Sequence, residues 1–154
     1  MSNISSHNNI KHSNLKPLDF EIIQENWNSY TLEDGTRLKG RIFVTRTFQD
    51  KLDLKNIAID LSDPIYIVVS ASSNNIGKSN IPESTEYSQL ERKEVNIIDC
   101  SEKLNKYKIP EITINIKVKL VVSDIYRAVD KYEKFGLPFY FVNGTTIVTS
   151  SKTS

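Results

Sequence analysis

The stretch EIIQENWNSYTLEDGTRLKGRIFVTRTF, Glu21 to Phe48, sets the pair Asp34-Gly35 between two runs of strand-forming residues. Asp-Gly flanked by alternating apolar residues is a strong short-range hairpin signal, because both residues tolerate the positive φ that tight turns demand. Two registers compete. A two-residue loop sets Leu32 opposite Arg37 and Tyr30 opposite Lys39, mixing apolar and charged groups on one face. A three-residue loop with Gly35 left-handed sets Leu32 opposite Thr36 and Tyr30 opposite Leu38, which separates them. The pattern selects the second. Ile22, Tyr30, Leu32, Leu38, Ile42 and Val44 then share one face, and Trp27, Arg37, Lys39, Arg41 and Phe43 the other. Leu38 is expected in the core and Lys39 in solvent.

Working outward, ITINIKVKLVV from Ile112 to Val122 alternates along its whole length and reads as a half-buried strand. PIYIVVS and EVNIID read as shorter buried strands, and PFYFVNGTTIVTS carries an Asn143-Gly144 pair suited to a second tight hairpin. NIPESTEYSQLER, with Asn80 as cap and Glu83 three residues on, permits a two-turn helix. SDIYRAVDKYEKFG reads either as a helix stopped by Gly136 or as a continuation of the preceding strand. The fold class is therefore mainly β: a small barrel or two-sheet sandwich of six to seven strands with one or two short helices. The expected organisation is a disordered polar tail over 1–17, a single β-rich domain over 18–150 and a frayed end over 151–154.

Composition removes several functions. Twenty Lys and Arg against nineteen Asp and Glu leave a net charge of +1, so any electrostatic site must be local. Cys100 is the only cysteine, which excludes an intrachain disulfide and a cysteine-rich zinc site. Both histidines, His7 and His12, lie in the polar N-terminal segment, so the body lacks the commonest general base and metal ligand. Asp50, Asp53, Asp60 and Asp63 lack the spacing of a calcium loop and read as strand-end and turn residues. Cys100 reads as a small, partly buried side chain. No metal and no cofactor is expected. No apolar run serves as the core of a signal peptide or spans a membrane, so the expectation is a cytoplasmic protein without membrane contact.

Three constellations carry chemistry. SSNNIGKS, residues 72 to 79, is near the phosphate-binding P-loop, with Gly77, Lys78 and Ser79 in place. Ser72 stands where that motif has glycine, and Pro82 interrupts the helix that must follow, so an ordinary polar loop is the stronger reading. Arg37, Lys39 and Arg41 alternate beside Trp27, a basic and aromatic face of the sort that grips single-stranded nucleic acid. The plainer reading is a solvated strand face with an arginine stem over the indole. Phe139, Tyr140 and Phe141 are consecutive, and a strand sends alternate residues to opposite faces. Unless both faces are covered, Tyr140 or the pair Phe139 and Phe141 is an exposed anchor for another chain.

LEDGTRLKGRI, from Leu32 to Ile42, resembles the first hairpin of Sm-like RNA-binding proteins, and DLKN from Asp53 to Asn56 is similar to that family's RNA-contacting Asp and Asn. The latter is one residue short in spacing and the family's late Arg-Gly motif is absent, so no residue roles are carried over. The sequence as a whole points to a non-enzymatic binding or accessory module that acts through protein contacts or self-association. Single-stranded nucleic-acid binding by the first hairpin is the alternative.

Overall fold

The computed structural model describes residues 3–5 and 14–153. Among the described residues there are thirteen strands: β1 (Asn3–Ser5), β2 (Leu15–Leu18), β3 (Glu21–Gln24), β4 (Asn28–Leu32), β5 (Arg37–Arg41), β6 (Val44–Asp50), β7 (Asn56–Leu61), β8 (Ile65–Ser70), β9 (Arg92–Glu94), β10 (Ile97–Ser101), β11 (Asn105–Ile109), β12 (Ile114–Tyr132) and β13 (Pro138–Lys152). They form three sheets, in the orders β1-β7-β6-β2, β10-β4-β5-β8 and β13-β12-β11-β3, with β9 added to β12. The mainly β class holds. None of the three sheets closes into a barrel, and the strands exceed the six or seven expected. The surplus comes from short strands such as β2, β3 and β9, which carry no alternation to read in the sequence.

The Asp34-Gly35 hairpin has the bulged register. Tyr30 opposes Leu38, the Leu32 amide donates to the Thr36 carbonyl at 2.9 Å, and Gly35 has φ +85°. Tyr30, Leu32, Leu38, Ile42 and Val44 are buried as expected. Ile22 is not: β3 pairs with β11 rather than extending β4, and Ile22 is 58% exposed. Lys39, expected in solvent, is half-buried.

The long β12–β13 hairpin is the spine of the molecule, paired from Ile114 opposite Lys152 to Tyr132 opposite Pro138. Ile114, Ile116, Val118 and Leu120 face one apolar cluster, packed with Ile57, Ile59, Tyr107 and Ile109. Between Val122 and Asp124 the register slips by one residue. Because side-chain direction alternates with period two, that bulge moves the buried set onto Ile125, which enters a second cluster with Tyr30, Leu32, Leu38, Val95 and Tyr140. The segment SDIYRAVDKY is thus a strand, and Gly136 closes a hairpin turn at φ +79° rather than a helix.

Four further expectations are corrected. Asn143-Gly144 is not a turn, since β13 runs straight through it with Gly144 opposite Val122. Gly144 serves close approach instead: a Cβ there would lie 2.9 Å from the Tyr66 hydroxyl and from the Val121 carbonyl oxygen. EVNIID divides into β9 and β10, because Val95 turns into the second cluster and its amide donates to the Ile125 carbonyl at 2.9 Å. NIPESTEYSQLER holds only a short 3-10 helix, Ser84–Gln89. Its expected cap, Asn80, instead ties to β12 through the Asp130 carbonyl and the Tyr132 amide, at 2.8 Å each.

Strand pairing reaches both ends of the described body. Leu15–Leu18 pairs with β6, and β13 continues to Lys152 beside Ile114. Asn3–Ser5 pairs in parallel with β7. Residues 1–2, 6–13 and 154, which include both histidines and most of the proposed tail, lie outside the described residues. Among the described residues no helix is long and apolar enough to cross a membrane.

Candidate docking face on the second sheet

On the second sheet, β4 and β5 send Tyr30, Leu32 and Leu38 inward, so their alternate residues form an outward face. Lys39 sits between Ser29 on β4 and Ile67 on β8, and Arg41 sits beside Ile65. The outward row of β8 is Ile65, Ile67 and Val69, which are 40%, 42% and 43% exposed. β8 ends its sheet: its partner on one side is β5, and among the described residues no strand pairs with the other. A run of β-branched residues at an open edge thus adjoins a row of basic ones.

The basic row is not uniform. The Arg41 guanidinium is held by Glu25 through a 3.0 Å hydrogen bond from Nη2 to Oε2, and lies 5.1 Å from the Trp27 ring centre and 5.0 Å from that of Phe43. The Tyr107 hydroxyl donates to the other oxygen of Glu25 at 2.8 Å. Burial, and then that hydrogen bond, push the Tyr107 phenol far above its ordinary range. Trp27 and Arg41 therefore come together as the alternation implies, with the charge neutralised and the indole covered. Arg37 is exposed and Lys39 half-buried, and neither has an ion-pair partner among the described residues.

The three consecutive aromatics part company. Tyr140 is buried, and its hydroxyl donates to Asp34 Oδ2 at 2.5 Å and lies 2.7 Å from Thr36 Oγ1. Arg127 Nη1 donates to the same carboxylate and to Asn75 Oδ1, both at 3.2 Å. Burial alone would raise the Asp34 carboxyl, but the bonds from Tyr140 and Thr36 and the Arg127 charge outweigh it and hold it below its ordinary value. Phe139 and Phe141 face the other way, half-buried, with ring centres 5.1 Å apart. Tyr87 packs tilted against Phe139 and edge-on against Phe141, and the Arg92 guanidinium lies 3.6 Å from the Phe141 centroid. The fixed turn of the first hairpin is thus tied to β12 and β13 through Asp34.

The P-loop-like stretch serves the same fastening. Asn75 Nδ2 donates to the Asp34 carbonyl at 2.6 Å and the Gly77 amide to the Gly136 carbonyl at 2.9 Å, while Lys78 is exposed. A short 3-10 turn, Ser73–Asn75, stands where a phosphate loop would wrap, and no helix runs on directly from Ser79, the next being the 3-10 helix Ser84–Gln89. Asp53 of DLKN accepts from the Lys55 amide and from Asn56 Nδ2, which closes the β6–β7 turn. Cys100 is exposed rather than partly buried. Among the described residues no three His, Cys, Asp or Glu side chains are grouped as a metal ion would require.

Sequence reasoning missed the β8 row, reading PIYIVVS as a buried strand. A continuous apolar run looks the same whether both faces are covered or one is open. It also missed the link between Asp34 and Tyr140, 106 residues apart, for which no local pattern exists. Comparison of the chain with protein-family models, with curated proteins and with solved structures found no match.

Proposed function

We propose that the chain is a non-enzymatic binding module that takes a protein partner on the outward face of the second sheet, along the open edge of β8. The observation that carries this reading is the row Ile65, Ile67 and Val69, each about two-fifths exposed on a strand that has no outer neighbour among the described residues. Soluble proteins blunt such edges with lysine, proline or a covering segment, and β8 has no charged residue between Ile65 and Ser70. An incoming strand gains ladder hydrogen bonds and a ready apolar row. Arg37 and Lys39, one strand further in, add a positive border that suits acidic groups on whatever lies across the face.

The other long edge is less suited to this role. The exposed row of β13, Thr145, Ile147, Thr149 and Ser151, holds one aliphatic residue among polar ones. Single-stranded nucleic acid is the second reading, supported by the charges of Arg37 and Lys39, which have no ion-pair partner among the described residues; two cations supply little of the phosphate neutralisation that such binding draws on.

A photo-crosslinking residue placed at Ile67, and as a control at Ile147, tests the proposal in the cells that make the protein. Protein adducts from position 67 that exceed those from position 147 are expected. Equal or absent adducts would overturn it.

A further inference from the structure

We infer that the occupant of the β8 edge is a second copy of this chain, joined by antiparallel pairing of β8 with β8 about a two-fold axis through Ile67. This rests on the docking reading above and names its partner. The argument is one of parity. Directly opposed residues in an antiparallel pair lie on the same face of the sheet, so an outward residue must meet an outward residue. With Ile67 on the axis, Ile67 meets Ile67, Ile65 meets Val69 and Val69 meets Ile65, while Tyr66 meets Val68 on the inner side. Every outward pair is then aliphatic on both sides, which a polar or charged outward row would not give. A slip of one residue would set Ile65 against Ser70 and mismatch every pair.

Charge permits the same arrangement. β8 contains no ionisable group other than the Tyr66 phenol, so no like charges face each other at the junction. The basic row of each copy lies on β5, three strand spacings from its symmetry mate, roughly 14 Å. That exceeds the screening length of about 8 Å at physiological salt, so the two rows repel little. The net charge of +1 adds no long-range barrier. Pro64, which has no N–H to offer, falls opposite Ser70 at the end of the paired segment and leaves its centre intact. Pairing would join two four-stranded sheets into one of eight strands.

A six-residue strand with three aliphatic side chains per copy is a small contact, at or below the lower limit of about 1,200 Å² for stable interfaces. The dimer is therefore expected to be weak and concentration-dependent.

Sedimentation equilibrium on the full chain, over a hundredfold range of concentration, tests this. The wild type is expected to pass from monomer to dimer. Ile67→Lys and Ile67→Glu, each of which opposes like charges on the axis, are expected to stay monomeric with unchanged circular dichroism. An equimolar mixture of the two is expected to recover a dimer, because the axis alone sets position 67 against itself. A wild type that remains monomeric throughout, a dimer that survives in both variants, or a mixture that fails to recover one while the wild type dimerises would each overturn the inference. Position 67 adducts of a mass other than twice the chain would do the same and leave the docking reading standing, whereas no adducts at all would remove both.

Discussion

Tyr140→Phe removes one hydroxyl and leaves the ring, so it isolates the bond that ties the first hairpin to the β12–β13 spine. The hydroxyl donates to an ionised carboxylate at 2.5 Å and lies 2.7 Å from the hydroxyl of Thr36, which is fully buried. A hydrogen bond to a charged group contributes about 1.5–3 kcal/mol, and Thr36 has no water to turn to. The expected destabilisation at pH 7 is about 2–3 kcal/mol, or a fall in melting temperature of roughly 4–12 °C for a chain of this size. Urea unfolding followed by circular dichroism measures it, with an unchanged dependence on urea showing that the same surface is exposed.

The pH dependence gives a second check. Asp34 is depressed in the folded state, so the stability it contributes is present above its unfolded value of about 3.9 and lost as pH falls through the lower folded value. The Tyr140→Phe penalty should therefore shrink as the solution is acidified into that range, where the carboxyl becomes neutral. Asp34→Asn should already have lost most of the effect, with a coupling between the two substitutions of at least about 1 kcal/mol. A penalty below about 0.5 kcal/mol, the same at every pH, would refute the reasoning.

Gly144→Val should destabilise by about 1–3 kcal/mol in the same assay, because the added carbons meet the Tyr66 hydroxyl and the Val121 carbonyl; a neutral result would mean that β13 does not pass straight through this position. A single-stranded oligonucleotide is expected to show no salt-dependent binding by fluorescence anisotropy. Binding whose logarithmic salt slope drops by about one in Arg37→Ala and again in Lys39→Ala would instead favour the nucleic-acid reading.

Much of the local structure was legible in the residues. The Asp34-Gly35 turn, its bulge and the pairing of Tyr30 with Leu38 follow from sequence, because only one register keeps apolar residues on one face. The alternation from Ile114 to Leu120 likewise fixed which residues of β12 are buried. Trp27 and Arg41 were placed together by the same counting, and their contact is seen. What alternation cannot encode is what lies above a strand. PIYIVVS became a sheet edge and not a core strand because no other described strand pairs with its outer side, and Asn143-Gly144 became mid-strand because β12 continues opposite it as far as Tyr132. Turn propensity is a weak local preference, and an unbroken ladder of long-range pairs outweighs it. The sequence determined the mainly β class and the parity of its faces, since these depend on neighbours two residues apart. Only the tertiary structure decided the number of sheets, the bulge after Val122 that passes β12 from one core to the next, and the burial of Tyr140 against Asp34, since these depend on residues brought together from opposite ends of the chain.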